Sequence, residues 1–114
     1  WYDCGQLGTT LETNGILLAK GAARHPALGA DVTIIEPVLV EDGCTVERST
    51  LGPNVTIESG TTVRDARIIN SMVGENCAVE RSTLRDAMLG DRVKVRDFEG
   101  SGSIGSDSDL AGTA

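Results

Sequence analysis

Histidine and cysteine, which serve as bases, nucleophiles and zinc ligands, are scarce in this 114-residue sequence, with one histidine and three cysteines. The only histidine, His25, could act as a general base toward a hydroxyl or an amine, because an imidazole gains and loses a proton near neutral pH. It lies in Arg24-His25-Pro26, which is typical of a connector because the residue before a proline avoids helical geometry. We therefore expect a solvated linker histidine. One imidazole does not make a zinc site, which takes three or four protein ligands.

Charge and composition exclude several classes of function. Ten basic and 17 acidic residues give a net charge of −7, which would repel nucleic acids and anionic membrane surfaces. No apolar stretch approaches the roughly 20 residues of a membrane-spanning helix. Aromatic residues make up only 3% of the chain and glycine occurs 14 times, so any core must consist of aliphatic and small side chains. We expect neither a nucleic-acid partner nor a membrane.

From residue 34 onward, aliphatic residues recur every five or six positions. The anchors of this repeat are Ile34, Val40, Val46, Leu51, Ile57, Val63, Ile68, Val73, Val79, Leu84, Leu89 and Val95. Every residue two positions before an anchor, from Val38 to Val93, is small or β-branched. A step near six fits neither the 3.6-residue period of a helix nor the two-residue alternation of a long strand.

The repeat predicts a three-sided coil of very short parallel strands. Three sides would close one turn of 16 or 17 residues, with one aliphatic and one small residue facing inward on each side. Equivalent anchors would then stack about 4.8 Å apart. The three expected columns are Ile34, Leu51, Ile68 and Leu84; Val40, Ile57, Val73 and Leu89; and Val46, Val63, Val79 and Val95. The pattern is interrupted at residues 98–102, and Ile104 and Leu110 restore it, which predicts one further partial turn.

Glycine and asparagine residues fall near the expected corners, where a positive φ costs glycine nothing and asparagine little. These residues are Gly43, Gly52, Gly60, Gly74, Gly90, Asn54 and Asn76.

The cysteines are expected to be structural. Cys44 and Cys77 fall in one column of small inward residues, with Thr61 on the turn between them. They would lie two strand spacings, roughly 9.6 Å, apart, which is too far for a disulfide. Cys4 stands alone, and no spacing among the three matches a metal cluster. We expect core thiols in a reducing compartment.

Charged residues follow the anchors of one column. Glu47, Arg64, Glu80 and Arg96 would form a ladder of alternating sign, in which each neighbouring pair contributes up to about 1 kcal/mol. Such charges could mark an effector or partner site, but a solvated face is the expected interpretation. If this face is instead buried in a subunit contact, its role is assembly.

The first 33 residues lack the repeat. Thr9-Thr10-Leu11-Glu12 matches a capping box, which predicts a helix that begins there and ends near Gly21, after turns at Gly5 and Gly8. Gly15 would weaken the middle of this helix by roughly 1 kcal/mol relative to alanine, so we expect the helix to pack against the rest of the chain. It could cap one end of the coil.

Two motifs carry a family resemblance. Over residues 34–110 the repeat resembles the left-handed parallel β-helix of hexapeptide-repeat proteins, and the resemblance implies that handedness. Trp1-Tyr2-Asp3-Cys4-Gly5 and the segment LETNGILL at residues 11–18 resemble the W-x-D-x-G and LLEAN-x-x-LL motifs. These motifs end the catalytic domain of sugar-1-phosphate nucleotidyltransferases similar to glucose-1-phosphate thymidylyltransferase. Some members of that superfamily continue directly into a left-handed β-helix.

The resemblance implies a reaction in which a nucleoside triphosphate and a sugar 1-phosphate give a nucleoside diphosphate sugar and pyrophosphate. In that family the aspartate of W-x-D-x-G helps to hold Mg²⁺, and Asp3 is the matching residue. The glycine-rich nucleotide loop, the second metal-binding aspartate and the sugar pocket lie upstream in the family. We therefore expect this chain to be inactive alone, with no catalytic or cofactor-binding residue and with Asp3 as an incomplete metal site.

The combined expectation is an all-β fold, a single-stranded left-handed parallel β-helix of four to five coils preceded by one α-helix. The expected units are the end of a nucleotidyltransferase domain at 1–22, a linker at 23–33, the β-helix at 34–110 and a frayed tail at 111–114. A start at Trp1 rather than methionine indicates a fragment.

Its expected role is oligomerisation or regulation in the cytoplasm, as a homotrimer in the first place and a dimer in the second, beside a missing catalytic domain. The alternatives are a hexapeptide-repeat acyltransferase that uses His25 and a purely structural β-helix.

Overall fold

The computed structural model describes residues 4–17 and 31–111, with side chains at 10–16 and 31–111. Within these residues one α-helix, α1 (Cys4–Leu17), precedes thirteen strands, and no helix is long and apolar enough to cross a membrane. The strands are β1 (Thr33–Ile34), β2 (Val38–Val40), β3 (Thr45–Glu47), β4 (Thr50–Leu51), β5 (Val55–Ile57), β6 (Thr62–Arg64), β7 (Arg67–Ile69), β8 (Ser71–Val73), β9 (Ala78–Glu80), β10 (Thr83–Leu89), β11 (Lys94–Arg96), β12 (Glu99–Ile104) and β13 (Asp109–Ala111).

The strands form a three-sided solenoid of about five turns, as the repeat predicts. Side one contains β1, β4, β7 and the first parts of β10 and β12. Side two contains β2, β5, β8 and the second parts of β10 and β12, which both run through the corner between these sides. Side three contains β3, β6, β9, β11 and β13. All of these pairings are parallel, whereas the handedness of the coil stays a prediction from the resemblance.

The three aliphatic columns are confirmed residue by residue. On side two, for example, Val40 pairs with Ile57, Ile57 with Val73 and Val73 with Leu89, and Ile104 extends the column by one turn. On side three the column ends at Leu110. From Val40 to Val95 the column residues are almost completely buried, the largest being Leu51, Ile57, Ile68 and Leu84. At the two ends of the columns Ile34, Ile104 and Leu110 are partly buried. The dry interior of the solenoid is therefore the hydrophobic core of the described chain.

Small inward residues do more than save space. Ser49 Oγ donates to the carbonyl of Glu47 at 2.7 Å and accepts the N–H of Ala66, one turn later, at 3.1 Å. Ser71 makes the same pair of bonds, donating to Ile69 and accepting from Ala87. These buried hydroxyls thus satisfy both themselves and an amide of the next turn, which an alanine would leave without a partner.

The break in the repeat at residues 98–102 is an exchange of large and small positions. Gly100 pairs with Leu84 and so occupies an aliphatic position, while Phe98 occupies the position of the small Ser82. A Cβ on Gly100 would lie 2.7 Å from Cζ of Phe98, so the ring fills the space that the missing side chain leaves. The coil therefore continues where the sequence pattern is interrupted.

The corner prediction is correct for most of its residues. Positive φ angles occur at Gly43, Gly52, Gly60, Asn54 and Asn76. For Gly74 and Gly90 the expected reason is wrong, because neither has a positive φ. A Cβ on Gly74 would instead lie 2.5 Å from the carbonyl oxygen of Gly90, so close approach of successive turns excludes a side chain there.

Helix α1 differs from its prediction in start and in place. It begins at Cys4, so Gly5, Gly8 and the Thr9–Glu12 segment lie inside it and do not form turns or a cap. A capping box is a local signal worth about 1 kcal/mol, which tertiary packing outweighs. The predicted end near Gly21 lies outside the described residues.

The helix lies along side two, in contact with β5, β8, β10 and β12, and does not cover an end of the coil. Leu11 is only 4% exposed, and Gly15 lies against the side chain of Asn54. The prediction that α1 packs on the rest of the chain is confirmed, and the prediction that it caps the coil is wrong. Leu11, Asn14 and Gly15 are three and four residues apart and so share the face of α1 that packs on the solenoid.

The columns can be tested with two adjacent residues on β10. Leu84→Ala should lower the free energy of unfolding by about 3 kcal/mol, because it opens a cavity where neighbouring turns stack. Arg85→Ala, which changes an exposed residue, should change it by less than about 0.5 kcal/mol. Denaturant unfolding followed by circular dichroism measures both. Equal losses would contradict the inward and outward assignment.

Candidate functional site

The two residues with the clearest sequence-based roles lie outside the described residues. These are Asp3, the predicted magnesium ligand, and His25, the alternative general base. Both roles stay predictions.

The two cysteines with described side chains, Cys44 and Cys77, behave as structural thiols. Both are unpaired, and the strand register places Cys77 two turns after Cys44, as predicted. The thiol of Cys77 donates to the carbonyl of Gly90 at 3.0 Å, and that of Cys44 donates to the carbonyl of Glu58 at 3.1 Å. Burial is the main cause that raises the pKa of both thiols. They are therefore neutral near pH 7 and poor nucleophiles.

The predicted charge ladder on side three is present in its register. Glu47 pairs with Arg64, Arg64 with Glu80 and Glu80 with Arg96. Arg64 Nε donates to Glu47 Oε1 at 2.6 Å, whereas Arg96 approaches Asp109 at 4.0 Å. Because these side chains are about half exposed, the ladder adds little stability.

A stronger ladder, which sequence reasoning missed, follows the corner between sides three and one. We call it the corner ladder; its residues are Asp31, Arg48, Asp65, Arg81 and Asp97. Arg48 binds Asp65 with two hydrogen bonds of 2.8 and 3.0 Å, and Arg81 binds Asp97 with two of 2.8 and 3.2 Å. The hydrogen bonds from the arginines lower the pKa of both Asp65 and Asp97.

The corner ladder could have been found from the sequence at one spacing. Its partners lie 16 or 17 residues apart, one full turn, which is also the spacing of the ladder predicted on side three. At another corner a shorter turn of 15 residues joins Arg92 to Asp107 in the same way, with hydrogen bonds of 2.6 and 3.1 Å. The ladder residues Arg48 and Arg81 also have positive φ angles, which residue type does not suggest.

A groove of about 730 Å³ runs beside the corner ladder, and we call it the ladder groove. One wall is the row Asp31, Arg48, Asp65 and Arg81. The facing wall is the outward row of side one, Thr33, Thr50, Arg67 and Thr83, and the small residues Ser49, Ala66 and Ser82 lie between the two walls. The groove is open to solvent along its length and presents hydrogen-bond donors of several kinds.

A second groove of about 300 Å³ lies on side two and is more apolar. Its lining includes Met72, Leu89 and Ile104, together with Thr56. Thr56 Oγ1 donates to Asn14 Oδ1 on α1 at 2.6 Å. Asn14 Nδ2 is the one buried side-chain polar atom without a partner among the described residues.

Carboxylates gather at the corner between sides two and three. Oxygen atoms of Glu58, Glu75 and Asp91 lie within 4.8 Å of one another, the only such group of three among the described side chains. Partial burial and then the neighbouring charges of Asp91, Glu41 and Glu75 raise the pKa of Glu58. The repulsion between these carboxylates is a cost of stacking like charges on successive turns. The cluster by itself does not indicate a metal site, because exposed acidic residues also gather in proteins that bind no metal.

The acidic corner predicts a pH-dependent effect of Glu58→Gln. A carboxyl whose pKa is raised by folding opposes folding above that pKa, and this penalty disappears below the ordinary value of 4.5. The variant should therefore be more stable at pH 7, on the order of 0.5 kcal/mol since Glu58 is partly solvated, and equal to the parent near pH 3.5. Thermal unfolding at both pH values measures this. Glu99→Gln on side one is the control, and a gain of the same size at both pH values would refute the assignment.

Comparison with known proteins returns no family. The sequence matches no protein-family model, and no curated protein is significantly similar to it.

Proposed function

We propose that this chain is the C-terminal part of a sugar-1-phosphate nucleotidyltransferase-like protein, in which the solenoid assembles subunits and holds the catalytic domain in place. The order of the features supports this: residues 1–5 and 11–18 resemble the motifs that end that catalytic domain, and a solenoid consistent with a hexapeptide repeat follows. By the same resemblance Asp3 would contribute to a Mg²⁺ site. One carboxylate does not hold Mg²⁺ by itself, so the remaining ligands would lie on the missing domain and its substrates.

The observation that carries the proposal is the attachment of α1 to side two. The buried hydrogen bond from Thr56 to Asn14, the buried Leu11 and the contact of Gly15 with Asn54 hold the helix against several turns. A domain that ends in this helix would be held close to the solenoid by these contacts. A separate module on a flexible tether would need no such contact.

The proposed assembly is a closed homo-oligomer, a trimer in the first place and a dimer in the second. Closed symmetry is the rule among soluble homo-oligomers, and a solenoid offers straight strand faces for side-by-side contact. We place the protein in the cytoplasm, because the proposed reaction uses nucleoside triphosphates and because the unpaired Cys44 and Cys77 suit a reducing compartment.

The enzymatic part of the proposal is tested on the natural gene. Upstream of the codon for Trp1 we expect a glycine-rich G-x-G-T-R-L-like loop. The longer protein should release pyrophosphate from a nucleoside triphosphate and a sugar 1-phosphate in the presence of Mg²⁺, whereas the 114-residue chain should release none. A coupled pyrophosphate assay measures both. A gene without such a loop would exclude a nucleotidyltransferase and favour a purely structural β-helix.

The assembly is tested on the chain alone. Sedimentation equilibrium at micromolar concentration should give three times the monomer mass, or twice that mass for the second choice. Addition of 1 M NaCl would separate contacts through exposed charges, which salt weakens, from apolar contacts. A monomer at every concentration would contradict the assembly role.

A further inference from the structure

The arginines of the described chain differ in whether they are paired. Arg48, Arg64, Arg81, Arg92 and Arg96 each face a carboxylate. Among the described residues, Arg67 and Arg85 have no ion pair or side-chain hydrogen bond, and both are exposed on side one. Of these two unpaired arginines, only Arg67 lines the ladder groove.

Arg67 lies between two hydroxyl groups. It pairs with Thr50 on the turn before and with Thr83 on the turn after, each about 4.8 Å away along the solenoid. Both threonines are half-buried and line the groove, and their hydroxyls make no hydrogen bond within the described part of the chain. A guanidinium and two hydroxyls thus stand in one row with their donors available.

The opposite wall leaves Arg67 as the arginine of the groove without a carboxylate partner among the described residues. The ladder arginines are compensated, because Arg48 is bound to Asp65 and Arg81 to Asp97. The two hydrogen bonds of each pair fix both guanidinium groups in place. Arg67 is therefore the guanidinium of the groove whose donors are available to a ligand.

We propose that the ladder groove binds the phosphate group of a small phosphate monoester, through the guanidinium of Arg67 and the hydroxyls of Thr50 and Thr83. A guanidinium fork already matches both oxygens of a planar carboxylate. A tetrahedral phosphate has three terminal oxygens and can accept from the fork and from hydroxyls on either side at once. The groove of about 730 Å³ extends well beyond these three residues, so the organic part of the ligand would lie along the corner ladder.

This site is independent of the proposed function. It is made only of solenoid residues, on side one and at the corner between sides three and one. It needs no catalytic domain. Because β4, β7 and β10 each contribute one of the three donors, a bound phosphate would link three successive turns.

The test is a titration of the ¹⁵N-labelled 114-residue chain, followed by amide chemical shifts in a phosphate-free buffer at pH 7 and low salt. Inorganic phosphate and glycerol 3-phosphate should shift amides near residues 50, 67 and 83, and sodium acetate should bind far more weakly. Arg67→Gln should weaken phosphate binding at least about tenfold. Arg85→Gln, the matched exposed arginine outside the groove, should leave it unchanged. Thr83→Val, which keeps the shape and removes one donor, should weaken it about threefold or more.

Several outcomes would overturn the proposal. Acetate binding as tightly as phosphate would remove the argument for a tetrahedral ligand, and equal losses in Arg67→Gln and Arg85→Gln would show attraction by general charge only. No localised shift below about 50 mM phosphate would show that there is no site. If Arg67→Gln changes the sedimentation of the chain and not the phosphate titration, the groove belongs to a subunit contact. If the chain proves to be a monomer, or the longer protein releases no pyrophosphate, the proposed function fails but the outcome of the phosphate titration still stands.

Discussion

The structure depends on one constraint: equivalent residues of successive turns lie about 4.8 Å apart, so each position must be compatible with its own neighbours above and below. Aliphatic columns meet this condition because Ile57 can pack on Val73 as readily as on Val40. Small inward columns meet it in a different way, since a serine such as Ser49 can link its own turn to the next through its hydroxyl. The same condition excludes a side chain at Gly74, which lies under the backbone of the next turn.

Outside the core the constraint becomes electrostatic. A column of one charge repels itself, and a column of alternating charge binds itself, turn by turn. The corner ladder follows the second rule, with Arg48 bound to Asp65 and Arg81 bound to Asp97. The acidic corner does not, and the raised pKa of Glu58 is the result. The solenoid thus carries faces of different electrostatic character on one regular backbone.

Much of the fold was predictable because a strict repeat leaves few ways to stack. The period placed every aliphatic anchor in its correct column and kept Cys44 and Cys77 apart. The prediction failed where a local signal competed with packing: the capping box within Thr9–Glu12 lies inside a helix whose position is set by side two. It also missed compensation between two residues, since Phe98 and Gly100 break the pattern singly and restore the core only together. Of the site, the one-turn spacing predicted the ladder on side three, but the corner ladder at the same spacing was missed.

The sequence by itself determined the repeat, the inward columns and the absence of a cysteine bridge among the described residues, because these follow from residue type and from one period. Only the tertiary structure decided which charges meet, where α1 lies and which of the described arginines are left without a carboxylate. Those outcomes depend on distances between side chains one turn apart and on the direction of each corner residue, such as Arg48 with its positive φ. Neither the distances nor the directions follow from the order of residues along the chain, because the closing of each turn brings residues 16 or 17 positions apart into contact.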